Sequence, residues 1–158
     1  MQNNQIVDVS PLSSFKNCDT IYLDNNLIED ISPLSSCTKL EHLYIKNNRI
    51  SDLSVLGGMT YLNRVFAVGN PVTKVEGLNL VDEWKSNISG ETYSSDSMLG
   101  GSILSISYTE QIDWQQVSNM NIDDIRVYDI PPRKMSEMED WGYRTNYDST
   151  KVEEEVDE

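Results

Sequence analysis

The sequence predicts an α/β solenoid, in which short parallel strands stack coil on coil and short 3₁₀ or irregular segments run along the outer side. Three observations predict it. A nine-residue segment recurs: Asn4-Gln5-Ile6-Val7-Asp8-Val9-Ser10-Pro11-Leu12 returns as Asn26 to Leu34, as Asn48 to Leu56, and in degraded form as Asn70 to Leu78, always by the same 22-residue step. From the second copy on, each Asn follows an L-x-x-L-x-L frame, carried by Cys18/Ile21/Leu23, Leu40/Leu43/Ile45 and Leu62/Val65/Ala67. A further apolar position stays in step at Phe15, Cys37, Met59 and Val81. A fixed period of this size means that each repeat is one structural unit stacked on its neighbours.

Each element follows from the repeat. The L-x-L stretch is a short strand whose alternate side chains enter the core. Neighbouring coils set these strands side by side about 4.8 Å apart, as a parallel sheet. The repeated Asn (Asn4, Asn26, Asn48, Asn70) is a polar residue at an inward position. There its amide satisfies backbone groups where the chain leaves the strand. The Asp-Ile-Ser-Pro-Leu stretch then returns along the convex side, where Pro favours a turn or a short 3₁₀ piece. A single coil cannot bury its own apolar face, so stability comes from stacking.

Over residues 1–81 this pattern resembles the leucine-rich repeat family, and within it the 22-residue internalin-like class. The resemblance implies a binding scaffold that holds proteins against its concave sheet. Counting back one period from Leu23 lands on Met1, so the sequence opens within a coil. The expectation is an open edge covered by a second copy, by a partner or by more of the same chain. A homodimer through this edge is one form of it.

After Val81 the pattern fades. Asp82 to Lys85 suit a helical turn, and residues 86–102, rich in Ser and Gly, suit a long loop. Ser102 to Tyr108 has strand composition, and Ile122/Ile125/Val127 repeats the frame, with Ile103 and Ile125 one period apart. Residues 103–130 are therefore expected to be two irregular coils of the same sheet, a separate small cap domain being the alternative. Pro131-Pro132 ends the last strand. Met135, Met138 and Trp141 suit a short amphipathic helix that, with Tyr143 and Tyr147, closes the core. The expected divisions are regular repeats at 1–81, a linker at 82–102, irregular repeats and a cap at 103–147, and an acidic disordered tail at 148–158.

Charge narrows the function. The chain carries 12 Lys+Arg and 26 Asp+Glu, a net −14. Residues 1–81 hold 6 and 8 of these, net −2, which leaves −12 for residues 82–158. Such a balance argues against nucleic acid, whose phosphates must be met by Lys and Arg. No apolar run reaches the roughly 18 residues that a membrane helix needs. Two cysteines make no disulfide framework; Cys18 and Cys37 occupy apolar positions of the frame and suit buried, reduced thiols in a cytoplasmic protein.

Between the core positions of each strand lie side chains that leave the concave face. They form three rows: Thr20/His42/Arg64, Tyr22/Tyr44/Phe66 and Asp24/Lys46/Val68. The middle row is aromatic throughout. Such a row is either cross-strand packing or a binding hot spot, where Tyr and Arg are enriched, and the second is favoured. Tyr128 is outward in its own frame and is expected to extend that row, whereas the register of Tyr108 is open. His42 is expected on the surface, contacting a partner. With no second His and no Cys-x-x-Cys, it suits neither a metal site nor catalysis. Asp123 and Asp124 are expected to lend the acidic field that steers a partner. The expected function is non-catalytic, cofactor-free and metal-free protein binding. Its sharpest form is a cytoplasmic bacterial immunity-type protein that neutralises a basic toxin or effector. The alternatives are a fragment of an internalin-like surface adhesin and an enzyme-regulatory subunit.

Overall fold

A computed structural model describes residues 3–80, 84–85, 92–93, 101–141 and 143–147, with side chains left undescribed at 84–85, 92–93 and 144–147. Five strands of the main sheet carry the concave face: β1 (Thr20–Tyr22), β2 (His42–Tyr44), β3 (Arg64–Phe66), β6 (Ile103–Ser107) and β7 (Asp124–Tyr128). A sixth, β8 (Arg144–Tyr147), joins them in the order β1-β2-β3-β6-β7-β8, and every neighbouring pair is parallel. Between β3 and β6 two short strands, β4 (Trp84–Lys85) and β5 (Thr92–Tyr93), pair antiparallel. The convex side is made of 3₁₀ turns at Ser10–Ser14, Ser32–Ser36 and Ser54–Leu56, followed by helix α1 (Trp114–Ser118). Helix α2 (Met135–Asp140) precedes β8.

The repeat frame becomes the core. In the coil from Leu40 to Leu56, Leu40, Leu43, Ile45, Ile50, Leu53 and Leu56 are all fully buried. Each is worth roughly 1.5–3 kcal/mol relative to an exposed side chain. The register between β1, β2 and β3 advances by one full period per strand, as in Ile21↔Leu43 and Leu43↔Val65. Each convex turn starts the same way: Asp8, Asp30 and Asp52 accept the backbone N–H of Ser10, Ser32 and Ser54 at 2.8 Å. Those N–H groups lie where a 3₁₀ turn has no partner of its own.

Two Asn ladders hold the strand exits. In the inner ladder, Asn48 Oδ1 accepts the Ile28 N–H of the preceding coil at 3.1 Å, and its Nδ2 donates to Leu23 O at 2.9 Å and Ile45 O at 3.0 Å. Asn26 and Asn70 repeat the pattern, on Ile6 N–H with Leu23 O, and on Ile50 N–H with Ile45 O. The outer ladder runs through the residue before each of these. Asn25 donates to Asn3 and Asn47 to Asn25, both at 2.8 Å. Asn3, Asn25 and Asn47 have φ of 57°, 57° and 53°, a left-handed conformation that Asn tolerates. Gly69 takes the same step with φ 79°, and a Cβ there would lie 2.1 Å from Asn47 Oδ1.

The second half departs from the expected register. Val65 pairs with Leu104, well past the position one period on, so the β4–β5 hairpin sits inside an enlarged coil. Trp84–Lys85 is therefore strand rather than helical turn, and the stretch at 82–102 is not loop throughout. Ile125 pairs with Leu104, a step of 21 rather than 22. Ile103 thus faces the concave side beside Asp124, and Leu104, fully buried, is the core residue. Ile112 to Val117 mostly form α1, which Asp113 caps by accepting the Gln116 N–H at 3.1 Å.

The end of the solenoid is closed around Trp114. Its ring stacks on Tyr108 with centroids 5.5 Å apart and meets Tyr143 edge-on at 5.6 Å. The Tyr143 hydroxyl donates to Trp114 O. Met138 of α2 is buried and Trp141 packs partly against the core. Tyr108 therefore belongs to this closure and not to the concave row. Tyr147 lies on β8, its side chain outside the described part, as is the tail at 148–158. Phe15 and Cys18, apolar members of the first coil, are exposed and half-exposed, because no described coil stacks on that side of them. Cys37, one coil further in, is fully buried, and burial pushes its thiol pKa up.

Two outcomes test this arrangement. Asn48→Ala removes an amide that serves two coils and should cost about 1–3 kcal/mol in denaturant melts, because buried backbone groups are left unsatisfied. Burial raises the Tyr143 phenol far above its usual 10. The folded state then holds this proton more tightly than the unfolded chain. Its contribution is complete below pH 10 and is lost as pH rises above that value. Tyr143→Phe should abolish this alkaline loss, read as stability between pH 9 and pH 11.

Candidate functional site

The concave face consists of every second residue of the strands, and register fixes its rows. The first runs Thr20–His42–Arg64–Ile103–Asp124 and the second Tyr22–Tyr44–Phe66–Ser105–Arg126. The third carries Asp24, Lys46 and Val68, and its far end holds the pair Ser107–Tyr128. Parallel pairing in strict register stacks like positions on adjacent strands, which is why the rows could be read in advance across the first three coils.

The aromatic row is a continuous stack. The Tyr22 and Tyr44 centroids are 4.5 Å apart and those of Tyr44 and Phe66 4.8 Å, each with planes 17° apart. These spacings match the distance between strands, so the rings lie face to face along the sheet. Exposure falls along the row. Tyr22 is 43% exposed, Tyr44 half-buried, and Phe66 only 8% exposed. The Phe66 end is packed into the sheet, and the Tyr22 end is open to solvent.

Tyr128 does not extend this row. The position in register with Ser105, and hence with Phe66, is Arg126; Tyr128 stands two residues on, against Ser107, and is buried. Arg126 lies between Ile125 and Val127 as Tyr44 lies between Leu43 and Ile45, whereas Tyr128 holds the place of Lys46 in the frame. His42 is also buried, at 8% exposure, rather than displayed on the surface. It lies between Thr20 and Arg64 on the neighbouring strands. Arg64 and Lys46 are half-buried.

The two acids expected to face a partner are both engaged. Asp123 Oδ2 accepts the Ser102 N–H at 2.8 Å, and the Asp123 N–H donates to Ser102 Oγ at 2.9 Å. This reciprocal pair lashes the entry of β7 to the entry of β6. Gly101 makes room for it, since a Cβ there would lie 1.9 Å from Asp123 Oδ2. Asp124 Oδ2 accepts from Arg126 Nε at 2.9 Å, with both side chains largely buried. Arg126 and Ser105 were not singled out in the sequence. The frame Ile122/Ile125/Val127 already put Arg126 in the middle row, whereas Ser105 became legible only through the register of β3 and β6. The buried Ser105 hydroxyl has no hydrogen-bond partner among the described residues.

No cluster of three His, Cys, Asp or Glu capable of holding a metal occurs among the described residues. A cleft of about 250 Å³ opens on the convex side between Thr73–Asn79 and α1, lined by Val75, Leu78, Ile112, Val117 and Met120 among others. Its polar lining is Thr73, Glu76, Asn79, Asp113 and Gln116.

Residues 16–58 match the family described as leucine rich repeats, in two copies. No curated protein matches the chain. Among solved structures, an internalin C2 from Listeria monocytogenes str. 4b F2365 is 32% identical over 55% of this chain, with a TM-score of 0.46. The match spans 35% of that protein's length.

The roles assigned to Asp123 and to the aromatic stack separate in one experiment. Asp123→Ala should lower stability by about 1–3 kcal/mol in denaturant melts, because Ser102 loses its partner at a buried position. Tyr22→Ala, at the exposed end of the stack, should cost less than about 1 kcal/mol in the same melts.

Proposed function

We propose that this chain, whose residues 16–58 match leucine rich repeats, is a non-catalytic scaffold that captures another protein on its concave sheet. The observation that carries this reading is the Tyr22–Tyr44 stack. Two large aromatic side chains are held rigidly on a fixed sheet, with one of them 43% exposed. A rigid phenol loses little conformational entropy on binding and gives both apolar area and a hydrogen-bond donor. Such residues dominate interface energetics when they occupy the centre of a contact.

In its sharper form, the scaffold is an immunity-type protein of the bacterial cytoplasm that neutralises a toxin or effector. The −12 balance of residues 82–158 supports this form. It supplies a long-range field that speeds encounter with a partner of net positive charge. Asp124 is largely buried against Arg126, so the field comes from exposed acids such as Asp113, Asp123, Asp129, Glu139 and Asp140. Steering and contact then reside in different parts of the molecule.

The test uses the partner recovered from the source cells with the full chain. Tyr44→Ala should weaken binding by about 30-fold, mainly through faster dissociation, because an aromatic anchor is removed. Raising salt should slow association of the wild-type chain. Co-expression with a toxic partner should restore growth with the wild-type chain and fail with a Tyr22→Ala, Tyr44→Ala variant. Equal affinity for wild type and Tyr44→Ala would overturn the concave-sheet reading.

A further inference from the structure

We propose that the convex cleft between residues 73–79 and α1 takes an arginine side chain of a basic protein partner, its stem on the apolar floor and its guanidinium against the carboxylates of Glu76 and Asp113. This is a second contact surface, separate from the concave sheet.

The cleft lies where two successive coils meet. Val75, Leu78, Ile112 and Val117 are buried and form its floor, and Met120 is half-buried beside them. Its volume of about 250 Å³ is below the roughly 300–1,000 Å³ of sites that enclose a drug-sized molecule. A space of that size suits one side chain. Only two charged residues line it, Glu76 and Asp113, and both are exposed acids. The Glu76 carboxylate makes no ion pair among the described residues. Asp113 Oδ1 accepts the Gln116 N–H at 3.1 Å, and an amide donor does not cancel a carboxylate's charge as a cation would.

The charges around the cleft leave that balance in place. Lys74 lies 3.9 Å from Asp52 of the preceding coil, on the side of residues 73–79 away from α1. Glu110, which leads into α1, pairs with Arg133. α1 itself, Trp114–Ser118, carries no charged side chain. Asp123, beyond Met120, accepts the Ser102 N–H and adds a further acid. The described cations nearby are thus matched, and Glu76 and Asp113 are left to whatever enters the cleft.

Charge also selects the occupant. A second copy would bring another −14 to an acidic rim. Residues 81–100 of the chain carry one Lys against four acids, and residues 148–158 one Lys against six, so neither segment complements it. A basic partner does. Arginine suits the cleft better than lysine. Its aliphatic stem can lie on apolar surface while its head stays at the polar rim. Its planar fork of five donors can serve two carboxylates and the side-chain oxygens of Asn79 and Gln116, whereas an ammonium is compact and strongly hydrated.

Two capped tripeptides test this, one with arginine between two alanines and one with citrulline, which keeps the shape and removes the charge. Each is titrated into the isotope-labelled full chain and followed by backbone amide shifts. The arginine peptide should move the amides of residues 73–79 and 112–117 in a saturable way, and added salt should weaken it. The citrulline peptide should bind at least about tenfold more weakly, as should the arginine peptide to a Glu76→Gln, Asp113→Asn variant. That variant should melt like wild type, because Glu76 is exposed and Asn caps a helix as well as Asp does. Equal binding of the two peptides, arginine binding unchanged in the variant, or shifts absent from those amides would each overturn the proposal. Shifts of the same amides on diluting the chain without peptide would make the occupant a second copy and overturn it too. With the recovered partner, weaker binding in the variant would support the second contact. Loss of binding in Tyr44→Ala but none in the variant would overturn that contact and leave the concave-sheet reading standing.

Discussion

The inner Asn ladder is the constraint on which the rest depends. Where the chain turns out of each strand, backbone N–H and C=O groups are buried without a strand to pair with. Asn26, Asn48 and Asn70 meet them with one acceptor and two donors each, reaching into the coil before. Because each amide joins two coils, it fixes the spacing between them as well as the turn itself. The parallel register of β1, β2 and β3 follows, and with it the face-to-face contact of Tyr22, Tyr44 and Phe66. A slip of one residue would send the whole aromatic row into the core.

Function grows from the same regularity. Stacking in register turns one residue type at one repeat position into a row. Graded burial then divides that row into a packed end and an open end. The rigidity of the phenols comes from their neighbours on the sheet, so affinity drawn from them does not depend on ordering a loop.

The second half keeps the sheet while abandoning the period. An enlarged coil carries the β4–β5 hairpin, and a 21-residue coil with a helical return follows. The Asp123–Ser102 pair takes over the joining of coils there, and the Tyr108–Trp114–Tyr143 cluster closes the end. Irregular coils need such separate devices because no repeated amide sets their spacing.

By itself the sequence determined the solenoid, the parallel sheet, the inner Asn ladder, the 3₁₀ returns and the rows of the first three coils. All of these depend on residues one fixed period apart, and a fixed step in sequence is a fixed step in space. The outer ladder was also written there, as the doublets Asn3-Asn4, Asn25-Asn26 and Asn47-Asn48, although its left-handed backbone was not. Tertiary structure alone decided what lay beyond the period. It placed Leu104 rather than Ile103 in the core and Ser105 in line with Phe66. It buried His42 and tied Asp123 to Ser102. One residue more or less in an irregular coil reverses which side of a strand a residue faces, and no local pattern records that count. Burial of a concave side chain is likewise a property of everything packed around the face, not of the strand that carries it.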